Sequence, residues 1–310
     1  MSNLPAVNGL WTLVLAGGDG TRLQDLTRRI VGKPIPKQYC RLLDERSLLE
    51  TTLARIAPLA APSHTLVVAN ENHLALARPQ LGALPPGNLV IQPSNRDTGP
   101  GLLLSLLTLA ARSPRAYVAV FPSDHYVADA HGFLAAVAHA VRVVHVLPDR
   151  VAMLGIPPEH PDPGLGYIEP SAPLPPPWEG EVFQVASFHE KPDPGAAAHL
   201  VARGGLWNSF VMAFRVDRML DLLWRIRSAD VARMCGAFGR PTALGALYKS
   251  LEPWNFSRDF LARIPSQLVV VRADRTGWSD WGTPESIERT LCTLNRTPPW
   301  RVALPAAAIA

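Results

Sequence analysis

Three features of the sequence have residue types and spacing suited to phosphate chemistry. The first is LAGGDGTRL, residues 15–23, where an apolar run gives way to glycines interleaved with an acid, a threonine and an arginine. Gly17, Gly18 and Gly20 let backbone amides approach phosphate oxygens with no Cβ in the way, and a turn of such amides carries fixed positive potential. The second is VAVFPSDH, an apolar run ending on Asp124. A carboxylate delivered at the end of a strand suits a hard divalent cation carried on a triphosphate. The third is a pair of cations, Arg22 and Lys37, next to the loop. Two common phosphate cradles do not fit. A dinucleotide fold needs G-x-G-x-x-G, whereas Gly18 and Gly20 are followed by Thr21, Arg22 and Leu23, and the Gly-Lys-Ser/Thr ending of a P-loop is missing.

These groups need a scaffold that brings them to one edge. Apolar runs at 11–16, 65–69, 89–92, 116–121 and 151–156 alternate with helical stretches at 47–57, 101–112 and 131–146, the order of a parallel sheet flanked by helices. Ligands of such sheets sit at the carboxyl ends of the strands, where both the glycine run and Asp124 fall. Past Pro158 the pattern predicts shorter strands at 166–169, 182–189, 209–214 and 267–273, longer loops, and helices at 194–202, 216–226 and 284–294. This second half is expected to continue the same fold and to build another wall of the site.

Composition narrows the function further. The 310 residues are 47% hydrophobic and 18% charged, values of a folded chain with a sizeable core. The net charge of +4 comes from basic residues scattered singly, which favours small anionic substrates over nucleic acid. Cys40, Cys235 and Cys292 share no metal-like spacing and are odd in number, so a reducing compartment is expected. The first ten residues carry no targeting pattern and no apolar run is long enough to cross a bilayer; a cytoplasmic protein without membrane contact is expected. Prolines cluster in IPPEHPDPG and PSAPLPPPWEG, both read as loops.

Taken with its context, LVLAGGDGTRLQDLTRR followed by KPIPKQYC resembles the sugar nucleotidyltransferase signature, in which Gly-Gly-x-Gly-Thr-Arg-Leu precedes Pro-Lys-Gln. Lipid kinases and NAD kinases also carry a GGDGT element, but nothing here supplies their other parts. The resemblance sharpens to the mannose-1-phosphate guanylyltransferase family over residues 13 to about 294. It implies an α/β fold of the glycosyltransferase-A-like type: a Rossmann-like mixed, mainly parallel sheet flanked by helices. A single domain over 1–310 is expected, with a nucleotide-binding half at about 10–158, a sugar-phosphate-binding half at about 159–295, and neither an isomerase domain nor a C-terminal β-helix.

The resemblance also implies roles. Leu15, Ala16, Gly17, Gly18, Gly20, Thr21 and Arg22 would receive a nucleoside triphosphate, with Arg22 neutralising the departing pyrophosphate and Lys37 near the α-phosphate. VIQPSNRDTGPG resembles the segment that holds the purine, with Gln92, Asn95, Arg96 and Thr98 beside base and ribose. Thr98 is also a plausible N-cap with Pro100 in the first turn. Asp124 and Asp280 would share a Mg²⁺ ion. His125 is expected to orient or pack, and Asp19 to face solvent or a metal-bound water.

In GLGYIEP, Gly166 and Tyr167 would meet the sugar; a β-turn with a core tyrosine accounts for them equally, and Leu165 stands where an aromatic is usual. Glu190 and Lys191 of HEKPD would bind sugar hydroxyls and sugar phosphate. Asn208 would bond a sugar hydroxyl, although Phe210 replaces the glycine of the usual Trp-Asn-Ser-Gly-Met-Phe. The reaction implied is attack by a sugar 1-phosphate oxygen on the α-phosphorus of GTP, with mannose 1-phosphate as the sugar and a homodimer as a permitted assembly. Two alternatives stay open: a pyrophosphorylase using UTP, dTTP or ATP with glucose 1-phosphate, and a non-catalytic nucleotide-sugar-binding regulator, suggested by Phe210 and Leu165.

Overall fold

The computed structural model describes residues 9–300 except 44, 179 and 299. The first eight residues and the tail 301–310, both part of the expectations above, lie outside the described residues. The strands are β1 Leu10–Leu15, β2 Thr65–Asn70, β3 Leu89–Gln92, β4 Tyr117–Pro122, β5 Val151–Ile156, β6 Gly166–Pro173, β7 Val182–Glu190, β8 Leu206–Arg215 and β9 Leu268–Arg272. The helices are α1 Gln24–Val31, α2 Leu48–Ile56, α3 Leu74–Ala77, α4 Thr98–Ala110, α5 Ala130–Val146, α6 Pro194–Ala202, α7 Val216–Ala237, α8 Pro241–Ser250, α9 Phe256–Asp259 and α10 Pro284–Thr293.

All nine strands form one sheet in the order β3-β2-β1-β4-β8-β5-β9-β7-β6. The ladders β1–β2, β1–β4, β2–β3 and β5–β9 are parallel, and those involving β7 or β8 are antiparallel. Every strand except β7 and β8 therefore runs in one direction, as a mixed, mainly parallel sheet requires. The first residues of β8 also pair with β6, so β8, β5, β9, β7 and β6 close into a ring. The expected seam near residue 158 is not a structural boundary, because β5 from the first half lies between β8 and β9 from the second.

The inner strands are apolar on both faces because helices cover both. Trp11 and Leu13 of β1 pack in one core with Leu102, Leu106, Leu222 and Leu223 from α4 and α7. Leu10 and Val14 pack in the opposite core with residues of α2 and α5. This is the run of unbroken hydrophobics expected of strands buried on two sides. A smaller third cluster joins Leu23 and Leu26 to Trp281, Ile287 and Leu291, fastening α10 against the segment that follows the glycine loop.

Several expectations need correction. The second half has longer strands than the first: β6, β7 and β8 hold 8, 9 and 10 residues against 6 for β1. Part of PSAPLPPPWEG is strand as well, since β6 runs to Pro173, with irregular register from Glu169 onward. Prolines survive there because that stretch pairs with β7 alone and its register is broken. The N-cap of α4 is Asp97, whose carboxylate accepts from the Thr98 amide, so Thr98 is the first helical residue. Helix α7 extends to Ala237 through a non-helical Arg227, and α1, α3, α8 and α9 have no counterpart in the sequence reading. In α1 and α8 few residues are buried, Leu26 and Thr27 in one and Leu247 and Tyr248 in the other.

Candidate active site

The glycine loop leaves β1 and Asp124 leaves β4 at the same sheet edge, because the two strands are parallel neighbours with Leu15 opposite Pro122. Ser123 N–H donates to Leu15 O at 3.1 Å, tying the two exits together. Asp280 arrives from far along the chain through a two-bond antiparallel bridge: Tyr126 N–H donates to Ser279 O at 2.9 Å and Ser279 N–H to Tyr126 O at 3.1 Å. This bridge lies two residues after Asp124 and one before Asp280, so it brings the two acidic segments to the same rim.

They open onto a cleft of about 540 Å³, within the range of small-molecule sites. Leu15, Gly17, Gly18, Arg22, Gln92, Asn95, Thr98, Asp124, Gly166, Glu190, Asn208 and Asp280 line it. A smaller adjoining hollow is bounded by Gly20, Thr21, Arg22, Lys37, Asp124 and Asp280. Four of the expected residues lie outside both. Ala16 is buried, its carbonyl accepting from Tyr39 Oη at 2.8 Å and Gln38 Nε2 at 3.1 Å. Arg96 turns away to the end of α8, where Nε donates to Tyr248 O at 2.6 Å. Tyr167 is fully buried, its hydroxyl accepting from Asp162 N and Trp207 Nε1; the core-tyrosine reading describes it. Lys191 is exposed beside Glu190.

Lys37 is placed differently from the expectation. Its ammonium is buried and donates to the Asp280 carbonyl and to Trp281 O at 2.9 Å, with Asp124 Oδ2 at 3.3 Å. All three ammonium hydrogens are thereby engaged by the protein, and the side chain staples the two acidic segments together. Burial alone would raise the Asp124 carboxyl, but the Lys37 ammonium outweighs it and holds that carboxyl below its usual range. Burial drives His125 down to about 4, so its ring is neutral. Trp278 Nε1–H, which can only donate, points at His125 Nδ1 at 3.2 Å. The ring proton therefore sits on Nε2, 3.8 Å from Asp124 Oδ1. His125 orients; it does not carry charge.

Among the described residues the Asp280 carboxylate accepts no hydrogen bond from the chain and Arg22 has no partner, so both are free for a ligand. The described residues hold no group of three or more His, Cys, Asp or Glu side chains able to enclose a metal. Two hard carboxylates on one rim, one held ionised, nevertheless suit Mg²⁺, which takes one or two carboxylates and completes its shell with phosphate and water.

Part of the cleft is built around Gln92. Its amide lies between Gly17 and Gly101, where a Cβ would come within 2.3 Å and 2.6 Å of it, so both glycines are needed for this close approach. Gln92 Oε1 is buried with no hydrogen-bond partner, an acceptor costly to leave unmet. Asp19, expected to face solvent or water, lines the cleft and is held by Asn95 Nδ2 at 2.8 Å and Asn70 Nδ2 at 3.2 Å. Gln38 braces the loop from behind by donating to Gly18 O at 2.7 Å. The Pro-Lys-Gln motif contained Gln38, but nothing in its spacing showed that it holds the loop.

Elsewhere on the cleft wall, Glu190 stands opposite Gly166 in the β6–β7 ladder, and its carboxyl is raised by burial, opposed by Lys191. Asn208 Oδ1 accepts from Phe210 N at 2.9 Å. Asn255 and Ser257 also line the cleft, one as the N-cap of α9 and the other within it, in a stretch without a recognisable motif. Backbone strain gathers here. Asp97 and Phe210 line the cleft with φ of 65° and 58°, while Lys191 and Trp281, at 48° and 46°, each adjoin a lining acid. Such conformations cost about 1–2 kcal/mol per non-glycine residue. Trp281 is held in its own by stacking on Tyr126, with ring centroids 4.8 Å apart, and by Nε1–H donating to Thr290 Oγ1 at 3.0 Å.

An α/β sheet that gathers a glycine loop and two carboxylates at its carboxyl edge has the build of a nucleotide-binding transferase. Comparison with known proteins agrees: a family model described as nucleotidyl transferase matches residues 11–296, and the chain belongs to that family. The xanthan biosynthesis protein XanB of Xanthomonas campestris pv. campestris (strain B100) is 32% identical over 290 residues, 89% of this chain and 58% of XanB. The mannose-1-phosphate guanylyltransferase of Escherichia coli K12 is 30% identical over 299 residues, 91% of this chain and 60% of that protein. The chain thus spans 58–60% of the length of these curated relatives. A crystal structure from Thermus thermophilus, described as mannose-1-phosphate geranyltransferase, aligns with a TM-score of 0.79 at 29% identity, covering 91% of this chain and 79% of that one.

Proposed function

We propose that the chain transfers a guanylyl group from GTP to mannose 1-phosphate, giving GDP-mannose and pyrophosphate. The observation that carries this reading is the convergence of Asp124 and Asp280, stapled by Lys37, on the rim of the glycine loop. A sugar-phosphate oxygen forms the new bond to the α-phosphorus as the bond to the β-phosphate bridging oxygen breaks. The nucleophile is already an anion at neutral pH, so the protein's task is alignment and charge neutralisation.

Asp124 and Asp280 would hold Mg²⁺, which supplies positive charge to the triphosphate when bound. Arg22, free of partners, faces the departing pyrophosphate. Gln92 supports guanine, because its unmet acceptor suits the N–H groups on that base's Watson–Crick edge. The names of the relatives above support mannose 1-phosphate as the sugar. The chain is proposed to act in the cytoplasm; no helix among the described residues is long and apolar enough to cross a membrane.

Pyrophosphate release, measured with GTP, UTP, dTTP or ATP paired with mannose or glucose 1-phosphate in Mg²⁺, tests the proposal. GTP with mannose 1-phosphate should be preferred; equal or better rates with another pairing would replace it, and tight binding of a nucleotide sugar without turnover would favour a regulator. Gln92→Leu should lower kcat/KM for GTP by roughly 10–100-fold, the cost of one lost buried hydrogen bond. A variant that keeps wild-type preference for GTP over UTP would remove Gln92 from base recognition.

A further inference from the structure

Phe210 occupies a backbone conformation that glycine adopts without cost, and it does so on the wall of the cleft. Its φ of 58° falls where β8 is irregular: Gly155 pairs with Asn208 and Met153 with Met212, so three residues of β8 face one of β5. Side chains pin the bulge from both sides. Ser209 Oγ–H donates to Leu154 O at 2.8 Å and accepts from Val211 N at 3.2 Å, while Phe210 N–H donates to Asn208 Oδ1 at 2.9 Å. The last bond occupies the Asn208 carbonyl oxygen; one Nδ2 hydrogen donates to Ser257 Oγ at 3.5 Å, which leaves the other for a ligand.

The ring itself is only half-buried and borders the cleft together with Asn208, Glu190 and Gly166. It sets its edge against Phe256, with centroids 6.1 Å apart, and Phe256 in turn packs on Phe260. An acid, an amide and a braced aromatic ring thus border the same cleft. A strained backbone that presents a ring to a pocket points to selection by the pocket.

We infer that Phe210 is a specificity-determining residue, whose ring stacks on the C–H face of a plain hexose 1-phosphate and closes the subsite to sugars bearing an acetamido group. The inference rests on the transferase reading above and deepens it. An aromatic face suits the C–H side of a pyranose, and a ring braced against Phe256 resists displacement by a bulkier substituent.

The test compares wild type with Phe210→Gly and Phe210→Ala. The substrates are mannose 1-phosphate and a panel in which one hydroxyl at a time, at C2, C3, C4 or C6, is exchanged for acetamido. Phe210→Gly suits the observed φ and should fold; Phe210→Ala removes the ring but keeps the unfavourable backbone. Wild type should reject the whole panel. Both variants should lose kcat/KM for mannose 1-phosphate and gain at least about tenfold in relative kcat/KM for one or more acetamido sugars. Unchanged selectivity in both variants, a shift in the glycine variant alone, or a wild type that accepts the panel would each overturn the inference. Failure of the parent reading looks different: wild type would then turn over no triphosphate with any sugar 1-phosphate, and this inference would fall with it.

Discussion

Asp280→Asn is expected to lower turnover by about a thousandfold or more, which is about 4 kcal/mol of transition-state stabilisation, while thermal stability stays within about 0.5 kcal/mol of wild type. The two halves of that expectation come from one observation. Among the described residues the Asp280 carboxylate accepts no hydrogen bond from the chain, so the fold gains nothing from its charge. What holds residue 280 is its backbone: its carbonyl takes a Lys37 hydrogen, and its neighbour Ser279 is bridged to Tyr126. Asparagine keeps that backbone and the side-chain volume. A melting curve and a pyrophosphate assay across Mg²⁺ concentrations check it. Wild-type turnover would remove Asp280 from the site; lost turnover with lost stability would make it structural instead.

Gly282 gives the same segment a second, independent handle. A Cβ there would lie 2.2 Å from Asp280 Oδ2 and 3.3 Å from Arg22 Nη1, so even alanine must displace the acid.

Lys37→Met should be damaging in a different way, lowering both stability and turnover. The substitution leaves two carbonyl oxygens without a donor and Asp124 without its counter-charge. Removing one member of a buried pair costs roughly 3–5 kcal/mol, and the lower end applies because Asp124 is partly open to water. Arginine should not rescue it, since a planar fork cannot reproduce three converging bonds from one nitrogen.

The pH dependence follows from the sign of the Asp124 shift. Its folded carboxyl is depressed, so the pair's contribution is complete above the unfolded value of about 3.9 and is lost as pH falls through the lower folded value. Denaturation with urea at neutral pH and in acid separates the two. Wild type should lose more stability than Lys37→Met on acidification, and equal losses would show that the staple does not hold.

Much of this site was legible in the sequence, and the gaps have physical causes. The strands at 11–16, 65–69, 116–121 and 151–156 announced themselves because strands buried on both faces read as unbroken apolar runs. Asp124 followed from its place at the end of one. Arg96 did not follow, since its partners are carbonyls of α8, 152 and 153 residues along the chain, and no local spacing encodes them. The same holds for Lys37: its motif announces a cation but not which acceptors surround it. Phe210 was visible as a departure from the glycine expected there, but only the bulge in β8 explains how a ring fits that position.

The bridge between Tyr126 and Ser279 has a bearing on how the molecule comes together. It closes a loop of about 150 residues, and closure entropy rises with the length of chain enclosed. A chain whose C-terminal stretch peeled back from this bridge would retain β1 to β4 and Gln92 in place while lacking Asp280, half of its acidic rim.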